Sequence, residues 1–311
     1  MEFQDKIKQL RNTTYEKLYP YINSDYIQLD NPYHGNLGDV FIWEGECDFL
    51  KKFPFKCLES SNIRWKFHEL APETTIFLHG GGNFGDLYSG LQDFRLKVIE
   101  KYPDNPILLF PQSVWYADLN KAREHAKIMA RHKKLTLCAR DRFSYEFMTE
   151  HFKSNNVMLV PDMAFSIDDS TLDKYRGLSI PNNNLLLKRL DNELAIGPKY
   201  DFENYDVKDW PTITQTPFAY LKLKALLRMS DSLPSMRKYT DNFAKNGFKT
   251  SMCEIGLKFL APYDKIITTR LHVMIMSILL HKKVKYIDNT THKIKAFADT
   301  WLDDLDYVKS L

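Results

Sequence analysis

Arg270 and His272 combine reactive chemistry with a telling position. In residues 264–288 (DKIITTRLHVMIMSILLHKKVKYID) an apolar run breaks at Thr268 and Thr269, delivers both side chains, and resumes as a helix-length apolar segment leading into a second strand. That order places a guanidinium and an imidazole where a strand ends and a helix begins. Backbone N–H groups and the helix dipole are available there to hold an anion. Arginine adds a bidentate clamp for carboxylate or phosphate, and histidine carries a proton near neutral pH. An anionic substrate and a proton-transfer step are the chemistry this pattern suggests. The plainer account is a structural ion pair beside a helix-capping histidine.

Three other polar clusters follow apolar runs. In NPYHGNLGD, Gly35 and Gly38 let the backbone approach a ligand, and Asp39 caps a helix or accepts from a substrate hydroxyl. The same residues also make ordinary turns. In HGGGNFGD, Gly80, Gly81 and Gly82 follow a buried strand, and a tight turn needs fewer glycines than that, so N–H groups aimed at a ligand are expected. Neither the G-x-G-x-x-G spacing nor a GK[ST] ending is present. In ARDR, one of Arg140 and Arg142 clamps an anion while the other pairs with Asp141 or Asp162. Asp162 orients Arg140 or acts as a base. His34 and His79 are ligands or turn histidines, whereas His68, His125, His132 and His151 read as solvated.

These clusters need a scaffold that brings strand ends together. Apolar runs at 24–29, 55–58, 74–79, 106–110, 135–138 and 157–160 alternate with helical stretches, including an amphipathic one from Val40 to Phe53. Such alternation predicts parallel sheets covered on both faces, with ligands at the carboxyl ends of the strands. The polar stretch 167–184 marks a boundary. The fold expected is α/β, two Rossmann-like parallel-sheet domains facing a cleft. The first spans 1–170 on the acceptor side, the second 171–290 around the donor anion, and a helix in 291–311 packs back on the first.

Composition limits the function classes. With 44% hydrophobic and 14% aromatic residues the 311-residue chain can fill two cores, which excludes a disordered protein. A net charge of +3 with interspersed signs argues against a nucleic-acid partner but suits an anionic substrate or an anionic membrane face. Cys47, Cys57, Cys138 and Cys253 are far apart, so thiols in a reducing, cytoplasmic compartment are expected, with no metal knuckle. The N-terminal segment lacks the apolar stretch of a signal peptide, and the longest apolar run, 273–280, is too short to span a bilayer.

Taken in order, NPYHGNLGD, LHGGGNFGD, ARDRFSYE, VPDMAF, LKRLDNE and TTRLH resemble the polysaccharide pyruvyl transferase family from about residue 28 to 290. LKRLDNE and VKDW look most like its bacterial exopolysaccharide and capsule branch. The resemblance implies a GT-B-like fold and transfer of pyruvate from phosphoenolpyruvate onto two hydroxyls of a hexose, forming a cyclic ketal and releasing phosphate. The acceptor it implies is a lipid-linked or polymeric glycan, with undecaprenyl diphosphate as the carrier and peripheral membrane association. Motif by motif, donor-anion residues fall on Arg140, Arg270, Leu271 and His272, and the glycine loops on Gly35, Gly38, Gly80, Gly81 and Gly82. His34, Asn36, Asn83 and Lys188 join them as substrate-binding residues. The chain departs at Lys188-Arg189-Leu190-Asp191, where related sequences often read Arg-Arg/Thr-Asp.

The implied chemistry agrees with the residues. His272 is the candidate general acid, and Asp39, Asp86 or Asp162 the base. No cofactor or metal is called for beyond phosphoenolpyruvate as donor substrate. Two other readings share these features: a GT-B glycosyltransferase using a nucleotide sugar, and a non-catalytic carbohydrate-binding assembly protein.

Overall fold

The computed structural model describes residues 1–188, 204–288 and 292–311. Among these, seven parallel strands form one sheet: β1 (Tyr26–Leu29), β2 (Cys57–Ser60), β3 (Thr75–Leu78), β4 (Gly81–Gly85), β5 (Ile107–Trp115), β6 (Leu135–Ala139) and β7 (Asn156–Leu159). Their order is β2-β1-β3-β5-β6-β7, with β4 beside β5. β1, β3 and β6 are buried along their whole length, as apolar runs covered on both faces should be. β5 runs well past the apolar stretch 106–110, because Gln112 and Ser113 are also buried and find polar partners.

A second parallel sheet comprises β8 (Asn184–Leu187), β9 (Asp206–Lys208), β10 (Lys265–Thr268), β11 (Lys283–Tyr286) and β12 (Val308–Ser310), ordered β12-β11-β10-β8-β9. The helix Leu271–Leu279 leaves β10 after one turn of chain. His272 alone among its nine residues is not buried. Arg189, Leu190 and Asp191 of the LKRLD motif lie outside the described residues.

The helix Leu37–Leu50 corrects the amphipathic reading, since its residues from Val40 onward are buried all round. Its carboxylates survive there because each has a partner. Glu44 meets the Lys249 ammonium, Asp48 pairs with Lys51 at 2.7 Å, and Glu46 accepts from Gln28 at 2.9 Å. A buried charge without such a partner would cost several kcal/mol.

The chain groups into two compact units that are not the consecutive halves expected. One contains Arg11–Tyr33 and Glu46–Met163 with the first sheet; the other contains Met1–Leu10, His34–Gly45 and Ala164–Leu311 with the second. Packing explains the second grouping. Phe41 lies beside Trp210, with ring centroids 6.1 Å apart, and a Cβ on Gly256 would stand 2.6 Å from its ring, so residues near Val40 join the C-terminal set. The C-terminal helix Lys293–Trp301 also belongs to this unit, and Phe297 stacks on Phe165. Of the span 1–170, Met1–Leu10, His34–Gly45 and residues 164–170 share its unit. No helix among the described residues is long and apolar enough to cross a membrane.

Candidate active site

In the unit with the second sheet, two motifs remote in sequence meet directly. A Cβ on Gly38 would stand 2.5 Å from Nδ1 of His272, so the absence of a side chain is what lets the imidazole lie there. Around Gly38 the NPYHGNLGD residues fold into a helix start. Asn36 Oδ1 accepts from the Gly38 N–H at 3.1 Å, and Asn36 Nδ2 donates to Asp39 Oδ2 at 2.8 Å. His34 Nε2 lies 3.6 Å from the same carboxylate oxygen, and half of its side chain is exposed. His34, Asn36, Gly38, Asp39 and His272 thus lie in one cluster.

Arg270 is the N-cap residue of the helix carrying His272, and its own N–H donates to Thr268 Oγ1 at 3.0 Å. Its guanidinium makes the bidentate contact that the sequence suggested, but with a protein partner. Nε and Nη2 donate to Oδ1 and Oδ2 of Asp209 at 2.6 and 2.7 Å. Asp209 follows β9 and Arg270 follows β10, so the pair sits at the carboxyl edge of the sheet. Lys188 follows β8 on the same edge with an exposed side chain. Leu271 is buried and packs the helix start. Asp209 is the residue that reading the sequence missed; VKDW was noticed for its resemblance and not as a counter-ion.

In the other unit the strand ends hold a buried polar network. Arg140, after β6, donates from Nε to Ser113 Oγ at 2.8 Å and from Nη1 to Asp162 Oδ2 at 2.8 Å. Ser113 Oγ donates to Asp141 at 2.5 Å, and Asp141 caps the next helix by accepting from the Ser144 N–H at 2.8 Å. Only 2% of Arg140 is exposed. A guanidinium so enclosed must be paired, and here Asp162 pairs it. Asp162 thus orients Arg140, one of the two roles expected of it, and the pair ties the ends of β6 and β7 together.

The glycine-rich segment departs most from expectation. Gly81–Gly85 is not a loop but strand β4, parallel to β5 with an irregular register. His79 is a buried structural residue: its Nδ1 lies 3.0 Å from Glu46 Oε2, while the Gly80 N–H donates to Glu46 Oε1 at 2.8 Å. Asn83 Oδ1 accepts from Nη2 of Arg95 at 2.6 Å, and Arg95 also donates to Asp30 Oδ2 at 2.7 Å. Gly82 is half-buried at the same edge. Asp86 favours its ionised form. Although burial opposes it, N–H bonds from Ala117 and Asp118 and the nearby Lys121 hold its carboxyl below the usual range. His132 is buried, not solvated, with Nε2 2.9 Å from the Tyr102 carbonyl, and burial lowers its pKa.

These strand-end glycines act first on the fold. Gly81 and Gly85 have φ of 125° and 133°, and a Cβ on Gly85 would stand 1.7 Å from the Trp115 carbonyl oxygen. Gly85→Ala is therefore expected to destabilise the protein by roughly 1–3 kcal/mol or more, read as a lower urea midpoint. An unchanged midpoint would show that β4 can shift away from β5 without cost.

Two parallel sheets, each with charged side chains at the carboxyl ends of its strands, define the class: an α/β protein of Rossmann-like build. The comparisons narrow it. Residues 36–291 match the family described as Polysaccharide pyruvyl transferase, and the chain belongs to that family. Pyruvyl transfer onto polysaccharide is accordingly the reaction class. Pyruvyl transferase 1 of Schizosaccharomyces pombe (strain 972 / ATCC 24843) is 32% identical over 300 residues, covering 87% of this chain and 68% of that protein. EpsO of Bacillus subtilis (strain 168), named for an inferred pyruvyl transferase activity, is 29% identical over 297 residues, covering 90% and 86%. A crystal structure of an uncharacterized protein, KP1_0663 from Klebsiella pneumoniae subsp. pneumoniae NTUH-K2044, shares the fold with a TM-score of 0.66 at 21% identity, covering 97% of this chain and 98% of that one.

Proposed function

We propose that the protein transfers pyruvate from phosphoenolpyruvate onto two hydroxyls of a hexose in a lipid-linked or polymeric glycan, forming a cyclic ketal. The observation that carries this is the seating of His272 on Gly38, which gathers a proton carrier, Asp39 and the Arg270 helix start within one unit. In this reading the donor anion is held by Arg270 and the N-terminus of its helix, with Lys188 on the same edge. His272 protonates the vinyl carbon, which becomes the methyl group. The adjacent carbon gains positive character and is attacked by the first hydroxyl oxygen, whose proton Asp39 accepts. The bond to phosphate then breaks, phosphate leaves, and the second hydroxyl closes the ketal. Of the two hydroxyl protons, one balances the methyl and the other leaves with phosphate. A GT-B-like arrangement, an undecaprenyl-diphosphate carrier, a cytoplasmic setting and an exopolysaccharide or capsule pathway belong to the same reading.

The direct test is incubation with phosphoenolpyruvate and a panel of lipid-linked and synthetic glycosides. Expected are phosphate release and a mass gain of one pyruvate less one water. Phosphate release with no mass gain, or turnover of nucleotide sugars instead, would overturn it.

Arg270→Lys keeps the charge but loses the planar fork that Asp209 holds. Calorimetric titration should show phosphoenolpyruvate affinity falling by about 2–5 kcal/mol, the scale for disrupting a buried charged contact. Asp209→Asn should lower affinity less, because the amide retains the shape and one acceptor. Wild-type affinity in Arg270→Lys would remove Arg270 from the donor site.

A further inference from the structure

The second sheet carries an unusual concentration of charge on one face. Lys265 is in register with Lys283, and Lys285 with Lys309. Because Lys283 and Lys285 are two apart on one strand, all four ammonium groups leave the same face of β10, β11 and β12. The opposite face buries Ile266, Val284 and Tyr286, whereas all four lysines are exposed. Neighbouring strands lie about 4.8 Å apart, and like charges directly opposite one another are unfavourable. None of the four ammonium groups has a hydrogen-bond or ion-pair partner among the described residues. They line a concave site of about 430 Å³ whose walls include Tyr205 and Tyr307. Asp306 is the one carboxylate in that lining, against four lysines. Lys265 and Lys283 open their strands, so the site lies toward the opposite end of β10 from Arg270.

We propose that this face binds an anionic saccharide, a sugar segment bearing carboxylates, at a site separate from the transfer site. The ligand's identity rests on the function proposed above, because each transfer leaves one carboxylate on the modified sugar and the product is an anionic glycan. Four cations spread over three strands span about 10 Å, wider than a single phosphate but matched to charges on successive sugars. The concavity and the two tyrosines fit a chain of rings, with their apolar faces against aromatic ones. A bilayer surface would present a plane.

The test uses the full-length protein and titration calorimetry with tetragalacturonate, maltotetraose and inorganic phosphate, beside flotation with phosphatidylglycerol and phosphatidylcholine vesicles. Tetragalacturonate should bind at least about tenfold more tightly than maltotetraose or phosphate. The combined variant Lys283→Ser, Lys285→Ser, Lys309→Ser should lose at least that factor with an unchanged melting temperature. Tyr205→Ala should weaken tetragalacturonate but not phosphate. Equal binding of maltotetraose, equal binding of phosphate, indifference to the triple substitution, or lysine-dependent binding to phosphatidylglycerol vesicles without saccharide binding would each overturn the proposal. Transfer from phosphoenolpyruvate to a short neutral acceptor, measured in parallel, separates the two claims. Loss of transfer with lysine-dependent saccharide binding intact sinks the proposed function alone, and the converse sinks this site alone.

Discussion

His272→Ala is expected to lower turnover by about 100-fold or more, the usual loss when a general acid is removed, with little change in donor affinity. The helix Leu271–Leu279 buries every other residue it has, so its position does not depend on the imidazole. Anion binding is assigned to Arg270 and the helix N-terminus, which the substitution leaves in place. His272→Gln separates binding from proton transfer, because the amide donates a hydrogen bond but cannot deliver a proton. Single-turnover phosphate release and phosphoenolpyruvate titration should both be measured on each variant. Turnover restored by glutamine but not by alanine would make His272 a binding residue. Normal turnover in both would remove the central step of the mechanism.

Much of the scaffold was legible because short apolar runs bounded by polar clusters admit few other arrangements. β1, β2, β3, β6, β7 and β10 fall within a residue or two of the runs that suggested them. β4 was not legible. Glycine has poor strand propensity, and only tertiary pairing with β5 draws Gly81–Gly85 into the sheet. The helix Leu37–Leu50 misled because Glu44, Glu46 and Asp48 mimic a polar face. The available signal was that these acids interrupt an otherwise apolar run, which marks buried carboxylates with partners elsewhere in the chain. Arg95, flanked by Phe94 and Leu96 and fully buried, carried the same kind of signal. For the candidate site, residue types and strand-end placement pointed to Arg270 and His272. Which carboxylate meets which guanidinium is decided by strand order, and Asp209 could not be paired with Arg270 before β9 and β10 were placed in one sheet.

Gly38→Ala should cost activity nearly as much as removing His272 while leaving the fold intact. Its Cβ would stand 2.5 Å from Nδ1, 3.0 Å from Cγ and 3.2 Å from Cβ of His272, so the imidazole must move. A displacement of about 1 Å at a reacting group can cost on the order of 100-fold in rate. Within the helix Leu37–Leu50, alanine is favoured over glycine by about 1 kcal/mol, so the local structure gains while the site loses. That opposition separates a site effect from unfolding: the melting temperature should hold or rise as turnover falls. The two substitutions should also fail to add, since they act on one side chain. In a His272→Ala background there is no imidazole to displace, and Gly38→Ala should then change turnover by less than about twofold. Equal losses in both backgrounds would mean that Gly38 serves the reaction by a route other than seating His272, and the contact between the two motifs would no longer carry the proposed function.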